Sequence, residues 1–260
     1  MSWIATIDGN ELDLERPDRA HITAFDIAWS LSQINRFTGR AIRPYSVAEH
    51  SLLVCEIAER EFGLDVHGQF AALMHDAHEA YCNDVATPAK ALIGPAWAEW
   101  ERHWERATQS AFAIVTASQV HRKAIKQADL IALATERRDL CIPTPSPWPV
   151  LLGVEPVPWV DLYSKERRDM GWQDWRDRWL DQHHALDFAR TARLFAVVPA
   201  TPGTPMCWCE TCDETAHGLR TRMSLCPQCG DKRCPKAVYH GNECKTPNIR
   251  GKAETTAPPA

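Results

Sequence analysis

Apolar positions along most of this chain recur every three or four residues, which is the spacing of amphipathic helices. The pattern predicts one helix over residues 24–36, and a second that begins at the capping-box sequence Ser-Val-Ala-Glu of residues 46–49. A third helix is expected after Asp65, whose side chain can cap it. Further elements are a hairpin within residues 3–14, a helix or helix pair over residues 95–118, and helices over residues 121–140 and 169–197. The chain is therefore predicted to be all-α, with one small hairpin.

A polar stretch lies within the apolar pattern of the third predicted helix, at His75, Asp76 and Glu79. Adjacent helical side chains point about 100° apart, so His75 and Asp76 can both face one object, and Glu79 follows one turn later. An imidazole nitrogen, a carboxylate and a second carboxylate nearby suit a divalent metal ion with an acid/base beside it. The alternative is a polar helix end that holds a His and an Asp by chance.

Two other helices carry polar residues on their apolar faces. His50 falls on the inward stripe of the second helix, and Asp129 lies among apolar neighbours in the helix over residues 121–140. A buried imidazole or an ionised carboxylate needs a partner or a cation. We therefore add both to the candidate metal ligands, although most buried histidines are simply hydrogen-bonded in the core.

The remaining histidines of interest are expected on the surface. His78 shares no stripe with the inward residues, so it should be exposed or lie behind the ligands. The pair His183-His184 in the last helix is also interpreted as exposed.

Three charged residues flank the predicted site along the sequence. Arg36 lies at the end of the first predicted helix, while Asp84 and Lys90 lie on the loop and first turn after the third. A guanidinium can bind phosphate oxygens in a bidentate manner, although a single Arg is more often a solvated surface charge. Charged loops beside a buried site often hold its working groups.

Composition narrows the class of protein. A chain of 260 residues that is 45% hydrophobic can hold one large domain with an appendage. The net charge of -5 lacks the excess of positive charge that is typical of nucleic-acid-binding proteins. Because no apolar run is long enough for a membrane span and no secretory signal is recognisable, we expect a cytoplasmic protein without a membrane partner.

Seven of the 10 cysteines crowd into the last fifth of the chain. Two Cys-x-x-Cys pairs there predict a structural zinc site, with Cys209, Cys212, Cys226 and Cys229 as ligands. A second site could draw on Cys234, His240 and Cys244. We predict a domain over residues 1–197, a linker over 198–206, a Cys-rich zinc-binding module over 207–250 and a disordered tail over 251–260. The module could contact nucleic acid or another protein.

The order His50, His75-Asp76, Asp129 resembles the H…HD…D order of the HD-domain phosphohydrolases. Longer motifs are similar to the prophage-encoded YfdR-type proteins, and more distantly to the YfbR-type 5′-deoxynucleotidases and the phage deoxynucleoside triphosphohydrolases. These motifs are Asp26-Ile-Ala, Arg36-Phe-x-Gly, Tyr45-Ser-Val-Ala-Glu-His, Ala72-Leu-Met-His-Asp-x-x-Glu-Ala-Tyr-Cys and Ala128-Asp-Leu-Ile-x-Leu-Ala-Thr-Glu-Arg-Arg-Asp-Leu. The resemblance covers about residues 2–195, and the Cys-rich tail resembles zinc ribbons instead.

The resemblance implies an all-α HD bundle that holds one divalent metal ion (Mn, Co, Mg, Zn or Fe) through His50, His75, Asp76 and Asp129. It assigns acid/base work to Glu79, assisted by Asp84. Arg36 and Phe37 would hold the phosphate and screen the sugar, with Phe where the deoxynucleotidases have Trp. Lys90 matches a lysine that would touch phosphate.

The function expected from this resemblance is hydrolysis of nucleotides, with phosphate released from deoxynucleoside monophosphates. One alternative is a deoxynucleoside triphosphohydrolase of the phage type. Another is a zinc-ribbon adaptor that binds nucleic acid or protein and carries an inactive HD scaffold. We also expect a homo-oligomer, a dimer or larger.

Overall fold

The computed structural model describes residues 2–195, together with Cys234, Ala237 and Glu243. Residues up to Phe195 belong to one compact unit. They are mostly helical, which confirms the all-α prediction at that level. The predicted linker, the Cys-rich module and the tail lie outside the described residues, apart from the three named above. The proposed zinc ligands therefore stay predictions, although Cys234 is buried.

Strands β1 (Trp3–Ala5) and β2 (Glu11–Asp13) pair antiparallel, as the predicted hairpin requires. The helices that follow in the described part are α1 (Ala24–Leu31), α2 (Val47–Arg60), α3 (Val66–Leu73), α4 (Glu79–Cys82), α5 (Thr87–Ile93), α6 (Pro95–Ala111), α7 (Val115–Val120), α8 (Arg122–Leu140), α9 (Lys165–Asp169) and α10 (Trp172–Phe195). None of the helices within residues 2–195 combines the length and apolar character that crossing a membrane requires.

Helix α2 lies at the centre of the unit and packs against α3, α8 and α10. Its side chains belong to two apolar clusters. One cluster includes Val47 of α2 together with Trp104 and Trp179, and the other includes Ile57 of α2 together with Leu140. Polar residues on α2 are consequently enclosed on several sides, so each must find a partner within the protein.

The start of α2 confirms half of the predicted capping box. The Ser46 hydroxyl accepts the backbone N–H of Glu49 at 3.1 Å. The Glu49 side chain does not reach back to the cap, because it is buried and accepts hydrogen bonds from Arg43 and Arg167 at 2.7–2.8 Å. Two guanidinium partners therefore replace the backbone N–H that a complete capping box would use.

The first helix is shorter than predicted, since α1 ends at Leu31 instead of Arg36. Asn35 pairs with Ser46 in an isolated antiparallel bridge, and the Arg36 N–H donates to the Tyr45 carbonyl at 2.9 Å. These bonds to the segment before α2 draw the chain out of helical geometry. Residues 36–39 then form a 3₁₀ turn in which Phe37 has a left-handed φ of 56°.

The prediction that His75 and Asp76 lie inside a helix is wrong. Helix α3 ends at Leu73, and residues 74–78 form tight turns before α4. Here the Ala77 N–H donates to the Met74 carbonyl and the Glu79 N–H to the Asp76 carbonyl, three residues back in each case. In such turns residues i and i+3 lie on the same side, so Asp76 and Glu79 are aligned.

His183 is buried, whereas its neighbour His184 is exposed, so the prediction of an exposed pair is wrong for His183. The His183 ring stacks on Trp179 and lies against Phe70 and Phe112, with centroid distances of 5.0–5.5 Å. Burial among these aromatic rings lowers the pKa of His183 to about 4 from 6.5.

This lowered pKa predicts a loss of stability in mild acid. Below pH 6.5 the His183 side chain is protonated in the unfolded chain, whereas in the folded protein it stays neutral down to about pH 4. The contribution of His183 is therefore complete above pH 6.5 and falls by up to about 3 kcal/mol as the pH drops toward 4. The nearby Asp187 raises the pKa of His183, while His184 and Arg190 lower it, and the effect of burial is larger than each of these.

The contribution of His183 to the free energy of unfolding can be measured by urea unfolding of wild type, His183→Leu and His184→Leu at pH 7.5 and 4.5. The free energy of unfolding should fall less with acid in His183→Leu than in wild type, by about 2–3 kcal/mol. The exposed His184→Leu control should follow wild type. An identical acid dependence in His183→Leu would contradict the assignment.

Candidate metal centre

Three segments of the chain bring candidate ligands together. His50 projects from α2, His75 and Asp76 from the turns after α3, and Asp129 from α8. One ligand atom each of His50, His75 and Asp76 lies within 4.8 Å of the other two. The His50 Nε2 atom is 3.5 Å from an Asp76 oxygen and 3.4 Å from an Asp129 oxygen. The His75 Nε2 atom is 3.1 Å from the same Asp76 oxygen.

Both histidines present Nε2 to these carboxylates, because a hydrogen bond at Nδ1 orients each ring. The His75 Nδ1–H donates to the Ala72 carbonyl at 2.8 Å, and His50 Nδ1 lies 2.5 Å from the Glu136 carboxylate. Both Nε2 atoms are buried and have no hydrogen-bond partner among the described residues. Two such nitrogens beside two carboxylates fit a divalent cation that accepts mixed nitrogen and oxygen ligands.

The charges in this cluster support one another. Burial would raise the pKa of the Asp76 carboxyl, but His75 and His50 hold it well below its ordinary value. Burial would likewise raise the pKa of Asp129, and the two histidines lower it. Burial and Arg36 would lower the pKa of His50, but Glu136, Asp129 and Asp76 raise it well above its ordinary value. The arrangement thus favours positive charge at the point where the carboxylates converge.

Asp129 differs from the other candidates in its surroundings. One of its oxygens faces His50, while the other accepts a hydrogen bond from Lys126 at 2.8 Å. Lys126 is exposed and lies one turn earlier in α8. An exposed lysine can swing into solvent at little cost, so the Asp129 carboxylate is available to a cation without rearrangement of the core.

Arg36 lies directly beside these carboxylates. Its guanidinium is 3.7 Å from Asp76 and 3.2 Å from Glu136, and its side chain is only 11% exposed. Burial would lower the pKa of Arg36, but the carboxylates of Glu136, Asp84 and Asp76 raise it, so the side chain stays charged. The early end of α1 and the loop that follows it place this cation at the site.

Glu79 is almost completely buried next to Asp76. Its Oε2 atom finds no hydrogen-bond partner within the described part of the chain, and Oε1 is 3.9 Å from the Lys90 ammonium. Burial, with the nearby charges of Asp76 and Asp84, raises the pKa of Glu79 well above its ordinary value. A carboxyl group whose pKa is raised keeps its proton to a higher pH than a solvated glutamate does, which is a property of groups that act as general acids.

A second group of potential ligands lies on the other side of Glu79. His78, Glu79 and Glu101 also offer ligand atoms within 4.8 Å of one another. The Lys90 ammonium already bonds Glu101 there and lies near Glu79. His78 and Lys90 together help lower the pKa of Glu101 to about 2. Lysine therefore supplies the positive charge in this group, and we assign the metal ion to the first group.

The other predicted site residues surround this cluster. Asp84 is half-buried, and its pKa is raised by burial and by Asp76, with Arg36 acting in the opposite direction. Phe37 is half-buried next to Arg36, whose guanidinium carbon is 5.5 Å from the ring centroid. The Phe37 ring also lies 6.1 Å from that of Trp148, in the proline-rich segment after α8. His78, predicted to be exposed or to lie behind the ligands, is buried.

Sequence reasoning missed Glu136 and Glu101. Glu136 lies seven residues after Asp129, which is two helical turns and therefore the same face of α8. That spacing could have identified Glu136. Glu101 gives no comparable signal, because it lies on α6, a helix in which only Trp104 and Thr108 are buried, and reaches the site through the packing of α6 against α4 and α5.

Loss of Asp76 should abolish metal binding. The Asp76 carboxylate faces both Nε2 atoms, so Asp76→Asn removes the charge at the centre of the ligand set. Even partners behind a ligand contribute about 10- to 100-fold to affinity, so the loss should exceed about 100-fold. Calorimetric titration with Mn²⁺ measures it, with the exposed Asp181→Asn as a control that should bind as wild type does. Unchanged affinity in Asp76→Asn would exclude this centre.

Sequence comparison places the chain among proteins of unknown activity. It is 40% identical over 154 residues to the uncharacterized protein YfdR of Escherichia coli strain K12, a match over 59% of this chain and 81% of that protein. It is 34% identical over 143 residues to an uncharacterized protein of Rhodobacter capsulatus, a match over 54% of this chain and 73% of that protein. No protein-family model matches the chain. Because the first match extends over four-fifths of its relative, this chain belongs to the family of YfdR.

Proposed function

We propose that this chain is a metal-dependent phosphohydrolase of the HD type, which releases phosphate from nucleoside monophosphates, with deoxynucleotides as the expected class. One observation carries the proposal. The two buried Nε2 atoms converge with the Asp76 carboxylate, the Asp129 carboxylate lies 3.4 Å from the His50 Nε2 atom, and Arg36 and Glu79 lie beside Asp76. A cation site, a fixed positive charge and a buried acid are the parts that phosphate hydrolysis needs.

A divalent cation held by His50, His75, Asp76 and Asp129 would polarise a phosphoryl oxygen and make hydroxide available near neutral pH. Glu79 would then take the proton of the attacking water and deliver one to the leaving oxygen. Its buried Oε2 atom supports this role, since neighbouring side chains of the described unit leave it without a hydrogen bond. The Lys90 ammonium, 3.9 Å from Oε1, holds the carboxyl in place.

Arg36 would bind the phosphate and neutralise charge on it during transfer. Its NH1 atom lies 3.7 Å from Asp76, so a phosphate held by this guanidinium would be adjacent to the cation ligands. Because Arg36 is held by Glu136 as well, it is fixed before substrate arrives. A preorganised charge stabilises a transition state better than one that must be brought in from solvent.

The aromatic pair Phe37 and Trp148 offers a surface for the sugar and base. Both rings are half-buried, Phe37 lies next to Arg36, and Arg137 lies over the Trp148 ring at 5.1 Å. Phe37 adopts its left-handed backbone conformation here, which an aromatic residue rarely does without a local reason. Stacking on such rings tolerates any base, so we expect little base preference.

The charges favour a monophosphate over a triphosphate. Arg36 and Lys90 are the cationic side chains near Asp76 and Glu79, and both already pair with carboxylates, Glu136 and Glu101. Each further phosphate group would bring more negative charge toward the carboxyl groups of Asp84 and Glu79. A single phosphate bound by the cation and Arg36 is therefore the best match to this site.

A substrate panel tests the proposal. Ribo- and deoxyribonucleoside mono-, di- and triphosphates are incubated with the full chain and Mn²⁺, Co²⁺ or Mg²⁺, and phosphate, pyrophosphate and triphosphate are quantified. We expect phosphate from deoxynucleoside monophosphates. Release of triphosphate from deoxynucleoside triphosphates would point instead to a triphosphohydrolase. Absence of every product from a chain that binds the metal ion would refute phosphohydrolysis.

Glu79→Gln should separate metal binding from catalysis. The amide keeps the size of the side chain but cannot accept a proton, so we expect phosphate release to fall about 100- to 10,000-fold. The Mn²⁺ affinity should stay within about threefold of wild type, since Glu79 is not among the four ligands. Glu59→Gln, the same change at an exposed position of α2, is the matched control. A wild-type rate in Glu79→Gln would remove Glu79 from the mechanism.

A further inference from the structure

Glu136 is the most deeply buried carboxylate near the metal centre, with 0% of its side chain exposed. Its Oε1 atom lies 2.5 Å from His50 Nδ1 and accepts the Tyr45 hydroxyl at 3.0 Å. Its Oε2 atom accepts Arg36 NH2 at 3.2 Å. The carboxylate is therefore held by donors from three different parts of the chain.

Two of these three partners face the cation ligands with their other ends. His50 presents Nε2 to Asp76 and Asp129, and Arg36 presents NH1 to Asp76. Glu136 itself lies on the far side of the His50 ring. It therefore acts on the centre through the groups that it orients.

We propose that Glu136 is a positioning residue, which fixes the His50 ring with Nε2 toward the cation and strengthens that nitrogen as a ligand. This inference rests on the metal centre of the proposed function. With Nδ1 hydrogen-bonded to the Glu136 carboxylate, Nε2 is the nitrogen of His50 that is left for a cation. The negative charge on Glu136 also increases the electron density that the imidazole gives to a metal ion.

Arg36 and Tyr45 hold the Glu136 carboxylate in place behind His50. A buried carboxylate would be costly without compensation, and the Arg36 guanidinium supplies the opposite charge. The Tyr45 hydroxyl binds the same oxygen as His50 and restricts rotation of the carboxyl group. The two imidazole ligands thus differ, because His75 is oriented by a neutral backbone carbonyl whereas His50 is oriented by a charged group.

Glu136→Gln tests the role without changing the volume of the side chain. The amide oxygen can still accept one hydrogen bond, but the amide nitrogen is a donor and would face the donors of either Arg36 or His50. The charge behind His50 is lost in either orientation. Residues that orient a metal-binding histidine contribute about 10- to 100-fold to metal affinity, and we expect a loss of that size for Mn²⁺.

Glu49→Gln is the matched control. Glu49 is also fully buried, and its carboxylate binds two guanidinium groups, those of Arg43 and Arg167. Among the described residues, neither guanidinium forms an ion pair with a proposed cation ligand. Its replacement should lower the thermal stability of the protein while changing Mn²⁺ affinity by less than about threefold, since no ligand depends on it. The comparison separates loss of a buried carboxylate from loss of the carboxylate behind His50.

The decisive experiment is calorimetric titration of metal-free, full-length wild type, Glu136→Gln and Glu49→Gln with Mn²⁺. A loss of about 10- to 100-fold in Glu136→Gln alone supports the proposal. Equal affinities in wild type and Glu136→Gln, or equal losses in both variants, would overturn it, and so would a wild type that binds no Mn²⁺. Because no substrate is used, a chain that binds Mn²⁺ but hydrolyses no nucleotide would refute the proposed function and leave this inference standing.

A second measurement needs no variant and covers the case in which Glu136→Gln does not fold. Histidine side-chain nitrogen NMR of the wild-type chain, loaded with diamagnetic Zn²⁺, reports the state of His50. We expect a protonated Nδ1 with a strongly downfield proton, and a metal-bound Nε2. A His50 ring that binds Zn²⁺ through Nδ1, or that carries its proton on Nε2, would overturn the proposal.

Discussion

The charged side chains around His50 lie inside a helical unit, where an ionised group is stable only against a partner of opposite charge or a cation. This requirement organises the site. Arg36 compensates Glu136, and the carboxylates of Asp76 and Asp129 face the His50 ring. Removal of one member would leave another charge buried without compensation. The group is therefore expected to behave as a unit, so the effects of substitutions within it should not add.

The fold brings the charged residues around His50 together from separate segments of the chain. Helix α2 packs against α3, α8 and α10 and carries His50, which is fully buried. The end of α3 at Leu73 turns His75 and Asp76 toward α2, and the loop between Asn35 and Ser46 brings Arg36 to the same point. These are interruptions of regular helices. A straight continuation of either helix would have carried its polar residues away from the site.

Some polar atoms at the centre remain incompletely satisfied. The Nε2 atoms of both histidines and the Oε2 atom of Glu79 are buried without hydrogen bonds to other described residues. Such atoms usually cost stability, and these three lie where the proposed function would place a cation and a proton. Glu49 is also buried, but its oxygens are fully used by Arg43 and Arg167. The contrast separates a carboxylate that supports the fold from groups that are available for chemistry.

The sequence by itself determined the helical class, the hairpin, the starts of α2 and α3, and the residues that the tertiary structure brings together at the centre. These depend on local signals: apolar spacing, the capping residues Ser46 and Asp65, and polar residues on apolar faces. Only the tertiary structure decided that α1 ends at Leu31, that His183 is buried and that Glu101 lies close to Glu79. Each of these depends on which other segment packs against the residue, and segments distant in the chain leave no trace in local spacing.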